Sequence, residues 1–318
     1  MNFLLLWVGA AFVGIALTLF FLYTQSFFRR DRSFAQRLIP YEPGKPVPWN
    51  ALELSFFFAV WVLIISASIG LCRNLQFSSQ IKENVLEPER MLQLQKEHEI
   101  TQLIVCGQDD PRVFLVVLLA GVMIVPLGEE FLFRLLLQGY LEKQENHLRK
   151  RLKWTLPCLA VRGVFPILCS ATVFAAVHWR STTAERPVQH LFDNLLGLLV
   201  GYLVVLAVIT AYLLLVCGLT LQELGIDRRK IFSDCLLGFG AAVFLLPPVY
   251  FLNYGLTVLI GDVGFALDPI PLFFFAVGLG VLYFRTRRIL PAVILHGIFN
   301  GVAAVSVYMN AYTYFLNT

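Results

Sequence analysis

Runs of about twenty mostly apolar residues recur along this chain, near 3–25, 52–72, 113–138, 156–178, 194–217, 236–260, 270–284 and 289–311. A helix of that length crosses the hydrocarbon core of a bilayer. The sequence therefore predicts an all-α fold, a polytopic transmembrane helical bundle of about eight spans, built as a single integral membrane domain over 1–318. Composition agrees, since 58% hydrophobic residues and a mean hydropathy of +0.72 lie outside the range of soluble domains. The first run has no basic segment ahead of it, and Arg29, Arg30 and Arg32 follow it. It is expected to remain as a span, not to be cleaved as a secretory signal.

The loops alternate in charge. Sixteen lysines and arginines fall in 26–51, 141–155, 218–235 and 285–288, against six in 73–111, 179–193, 261–269 and the C-terminal tail. Positive-inside orientation puts the first set in the cytoplasm and both termini outside, with the cell membrane as the expected location and membrane lipid as the surrounding partner. The same one-sidedness accounts for the net charge of +4 and removes nucleic acid as a partner. Loop 73–111, rich in glutamate, reads as a solvated spacer. Trp49, Trp154 and Trp179 at span ends read as interfacial anchors, and Arg162 as a side chain that snorkels to the cytoplasmic surface. The six cysteines have no CxxC spacing and read as small buried hydrophobes. Gly-spaced patterns in 196–203 and 277–284 read as places where helices pack closely.

Of twenty-one carboxylates, only Glu129 and Glu130 lie well inside a span. A charge at the centre of a membrane helix costs roughly 2.5–3.5 kcal/mol on insertion scales, so such a pair is by default a functional feature. Arg134 follows Glu130 by four residues, a spacing that lets the two pair on one helix face and leaves Glu129 to accept a proton. His178 and His296 also lie in apolar runs. Asn300 stands four residues after His296 on the same face, where both side chains can direct donors at one point, as a developing oxyanion requires. A structural Glu–Arg clasp and hydrogen-bonded packing histidines are the competing account of these residues.

Three signatures occur in order on separate spans: Glu-Glu-x-x-x-Arg at 129–134, Phe-x-x-x-His at 174–178 and His-x-x-x-Asn at 296–300. Together they resemble the CAAX-protease and bacteriocin-processing family of intramembrane endopeptidases, over about 111–180 and 267–305, including Tyr283-Phe284-Arg285-Thr286. The resemblance implies peptide-bond hydrolysis without an acyl intermediate. Glu129 would be the general base and His178 its partner in activating water; His296 and Asn300 would be the oxyanion donors, with Glu130 and Arg134 as a positioning pair. It also implies a membrane-associated substrate, prenylated CAAX tails being one family possibility. The interval from His178 to His296 departs from compact members and reads as a two-span insertion near 194–260. A further tension is depth, because His178 ends its span far from the cytoplasmic end where His296 lies; a kink at Pro166 or a late helix start would relieve it.

Two alternatives stay open. One is a zinc-dependent version of the protease, disfavoured because no HExxH is present, so no cofactor is expected. The other is a non-enzymatic membrane protein, such as a transporter, scaffold or immunity factor, that uses the same polar cluster for binding or proton relay. Substrate identity and oligomeric state are not written in these motifs.

Overall fold

The computed structural model describes residues 39, 41–80, 99–107, 109–151, 161–179, 190–260 and 269–316, and every regular element among them is helical. Six helices are long and apolar enough to span a membrane: Ala51–Ser79, Pro111–Lys150, Leu191–Leu215, Ile231–Leu256, Pro269–Thr286 and Leu290–Met309. A shorter apolar helix, Val164–Val177, joins them. The expected first span, 3–25, and Trp154 lie outside the described residues. The chain forms two compact units.

One unit takes its described residues from 51–131, 182–219 and 296–318. Its helices α1 (Ala51–Leu75) and α7 (Leu191–Leu215) pack along their lengths. Gly197 and Gly201 permit this approach: a Cβ at 197 would stand 2.6 Å from Ile69 Cα, and one at 201 would stand 3.1 Å from Ile65 Cα. The pair is pinned at both ends. Asp193, fully buried, accepts hydrogen bonds from the backbone N–H (2.9 Å) and hydroxyl (2.6 Å) of Ser78, and Tyr212 donates to Glu53 at 3.1 Å. Helix α2 (Glu99–Cys106) corrects the solvated-spacer reading for the last described part of 73–111. Its Leu103, Ile104, Val105 and Cys106 are buried against Val113, Val116, Val117, Leu191 and Leu195, because this stretch carries apolar residues on consecutive turns.

The other unit takes its described residues from 1–50, 132–181 and 220–295. Here α5 (Gly139–Arg151) continues the helix that the sequence ended near 138, so 141–151 is helix and not loop. Its acidic residues explain the extension. Glu145 accepts from Arg149 at 2.6 Å and from the N–H of Gly163, and Glu142 pairs with Arg287. Gly163 has φ +90°, and a Cβ there would overlap the Phe284 ring, so only glycine suits this start to α6 (Val164–Val177). Pro166 sits in the first turn, where its missing N–H has no helical partner to lose. The helix thus starts late. Arg162 is not in a span but in the preceding turn, exposed and bonded to Asn146 at 2.9 Å.

Helices α8 (Ile231–Ile260) and α9 (Pro269–Thr286) pack on one another, and α9 also packs on α6. The basic stretch 285–288 is not a free cytoplasmic loop. Arg285 donates to the Ile39 carbonyl at 2.8 Å, and Arg288 reaches Asp234 at 2.6 Å and also pairs with Glu42. Trp49 is likewise no interfacial anchor: it is 1% exposed and its indole N–H donates to the Leu136 carbonyl at 3.0 Å. Trp179 is 68% exposed.

Candidate functional site

The residues 111–138 alternate between two helical pitches: α3 (Pro111–Val116), a π segment Val117–Ile124, α4 (Val125–Glu130) and a second π segment Phe131–Gln138. π turns inside α-helices are uncommon and gather at functional sites. At the first junction the N–H of Val125 bonds the Ala120 carbonyl, five residues back. In that register the next donor, residue 126, would serve Gly121, but residue 126 is proline and has no N–H.

Asn300 on α10 (Leu290–Leu316) supplies the missing donor. Its Nδ2 lies 2.8 Å from the Gly121 carbonyl oxygen. Gly297, one turn earlier, lets the helices meet, since a Cβ there would stand 2.7 Å from the Val122 carbonyl oxygen. An apolar cavity of about 150 Å³ lies alongside, lined by Val117, Val122, Gly301, Ala304 and Tyr308 among others.

This seating brings His296 to the glutamates. His296 (3% exposed) places Nδ1 2.9 Å from Glu130 Oε1 and Nε2 3.7 Å from Glu129 Oε2. Glu130 is fully buried; in its ionised form it only accepts, and the ring then donates to it from Nδ1. That leaves Nε2 as the ring atom turned to Glu129, at a separation longer than a direct hydrogen bond. Tyr202 on α7 approaches from another side, its hydroxyl 3.4 Å from Glu129 Oε1.

Arg134 and His178 belong to the other unit and share a partner there, Phe174. The Arg134 guanidinium carbon lies 5.4 Å from the Phe174 ring centroid, and the His178 ring stacks on Phe174 at 4.3 Å. Arg134 Nη1 also donates to Ser170 Oγ at 2.8 Å, and Ser170 in turn donates to the Phe133 carbonyl at 2.9 Å, within the second π segment. His178 caps α6, with Nδ1 2.7 Å from the Phe174 carbonyl oxygen, which can only accept, so Nδ1 is the donor there.

Within one unit Glu129, Glu130 and His296 thus meet, with Asn300 one turn away, and within the other Arg134 and His178 share Phe174. Among the described residues, no group of three or more His, Cys, Asp and Glu side chains is arranged to hold a metal ion. The match to known families decides what kind of protein carries this arrangement: the family model for type II CAAX prenyl endopeptidases, Rce1-like, matches residues 111–223 and 228–302.

The chain belongs to the Rce1-like type II CAAX prenyl endopeptidase family. It is an integral membrane protein of that family. The matched residues include every one of the seven motif positions and also run through 194–223 and 228–260, the stretch read from the sequence as an insertion. No curated protein and no solved structure matches the chain.

Pro126, Gly121 and Tyr202 were not among the residues the motifs single out. Proline two residues before Gly128-Glu129 is a legible signal of a broken hydrogen-bond ladder. Tyr202 carries no such signal, being one tyrosine among eleven.

Proposed function

We propose that the chain is an intramembrane endopeptidase that uses Glu129 as general base to deliver water to a peptide carbonyl. The contact of His296 with both glutamates carries the reading. A carboxylate and an imidazole within 4 Å, buried in an apolar helix bundle, can hold a water between them and take its proton as it attacks. Glu130, accepting from Nδ1, fixes the ring so that Nε2 faces the reacting side. Asn300 has two amide protons. One is used on Gly121; the second is the donor available to a tetrahedral oxyanion, together with His296 when its ring is doubly protonated.

His178 is proposed as the partner that steers the water or protonates the leaving amine, with Nε2 as the working atom. Family membership and the apolar cavity beside Asn300 support a membrane-anchored peptide as substrate, with a lipid-modified C-terminal tail as the first one to try. No metal enters this scheme.

The test is cleavage of membrane-anchored and prenylated peptides by the full chain in liposomes, followed by mass spectrometry, for wild type and Glu129→Gln. Cleavage by wild type alone, unchanged by a zinc chelator, supports the glutamate mechanism. Chelator inhibition reversed by zinc would favour a metal enzyme, and absence of cleavage by folded wild type would favour a binding or transport role.

A further inference from the structure

Glu129 is held by more than its histidine. Its two carboxylate oxygens are addressed from different helices, Oε2 by His296 Nε2 on α10 at 3.7 Å and Oε1 by the Tyr202 hydroxyl on α7 at 3.4 Å. Tyr202 is 3% exposed and its ring meets Trp61 of α1 edge-on, with centroids 6.1 Å apart at 64°. The residue before it, Gly201, is one of the two glycines by which α7 lies against α1. The height of Tyr202 on α7 is therefore fixed by backbone packing, not by a flexible side chain.

Gly128 completes the arrangement. A Cβ at 128 would overlap the Tyr202 ring, so the ring occupies the volume that any other residue there would fill. The chain gives up a side chain immediately before its catalytic pair and fills the gap with a phenol whose one polar atom points at Glu129.

We infer that Tyr202 is a positioning residue: its hydroxyl fixes the plane of the Glu129 carboxylate, so that the lone pairs of the other oxygen face the His296 side where water is activated. The inference rests on the peptidase reading for its catalytic meaning. A carboxylate on a single tether rotates about its last torsion, and a donor from a fixed helix restrains that rotation. A separation of 3.4 Å without substrate is compatible with this role, because catalytic hydrogen bonds commonly tighten only when substrate binds. Glu130, next in sequence, is met by His296, and on α1 the one carboxylate, Glu53, accepts from Tyr212.

The decisive variant is Tyr202→Phe, which keeps the ring and its contacts with Gly128 and Trp61. Infrared spectra of full-length protein in liposomes, labelled with carboxyl-¹³C glutamate, give a Glu129 band identified by its loss in Glu129→Gln. Tyr202→Phe is expected to move that band while melting at the wild-type temperature, and to lower kcat about tenfold with KM unchanged. An unmoved band overturns the inference whatever the activity. So does a wild-type kcat in Tyr202→Phe with a loss only in Tyr202→Leu, since then the ring matters and the hydroxyl does not. A band that moves in Tyr202→Phe while the wild type cuts nothing supports the contact and removes the peptidase reading instead, so the two fail separately.

Discussion

Asn300 donates from Nδ2 to the carbonyl oxygen of Gly121 at 2.8 Å, in place of the backbone donor that Pro126 lacks. The side chain of the third motif is thus part of the fold of the first. Its substitution mixes two effects, and they can be separated.

Asn300→Ala leaves a buried carbonyl unsatisfied and is expected to cost about 1–3 kcal/mol of stability. Pro126→Ala returns an N–H to residue 126. In the Asn300→Ala background it is expected to restore about 1 kcal/mol, read as a rise in thermal midpoint in detergent, while cleavage stays low. Additive losses in the double variant would contradict this.

Glu129→Gln is expected to lower kcat by about 10²–10⁴-fold with little change in melting temperature, since the amide keeps the volume of the acid. Glu130→Gln removes the charged acceptor of His296 Nδ1 and is expected to lower both stability, by about 1.5–3 kcal/mol, and activity. Paired melting and single-turnover measurements on the two variants distinguish these patterns.

Ser170→Ala removes the hydroxyl that accepts from Arg134 and donates to the Phe133 carbonyl. A loss of about 1–3 kcal/mol in chemical denaturation is expected, without requiring any change in the Glu129 cluster.

Gly197→Val would drive a side chain into the Ile69 backbone, and a cost of about 1–3 kcal/mol or more is expected. Gly240 on α8 has open space around it, so Gly240→Ala should be neutral or stabilising by up to about 1 kcal/mol. Melting temperatures of the pair test whether helix approach, not glycine as such, sets the cost.

The Thr220 N–H, then Lys45 and the Thr220 hydroxyl, hold the Glu223 carboxyl below its ordinary value of 4.5. A folded-state value below the unfolded one adds stability that is present above 4.5 and lost as the pH falls from there toward the folded-state value. Glu223→Gln should flatten that acid limb in a pH series of melting curves. The group is solvent-exposed, so salt should flatten it too.

The helical, membrane-spanning fold was legible because bilayer thickness imposes a length on apolar runs. Glu129 and Glu130 were legible because charge inside such a run is costly. Where the sequence reading failed, the reason was pairing that no spacing records. Trp49 looks like an interfacial ring until Leu136 offers it a carbonyl, and Arg287 and Arg288 look like unpaired loop charges until Glu142, Glu42 and Asp234 come to meet them.

Eight residues of wider pitch, Val117–Ile124, stand between the start of the helix and Gly128. Each residue of an α-helix turns the chain by about 100°. The compass bearing of Glu129 is therefore set by how many residues precede it as much as by which ones. A sequence of the same length in this stretch, relaxing to uniform α pitch, would keep every motif intact and still aim its glutamates more than a quarter of a circle away from His296, and dropping one residue would cancel most of that turn. Length in this segment is as much under constraint as identity.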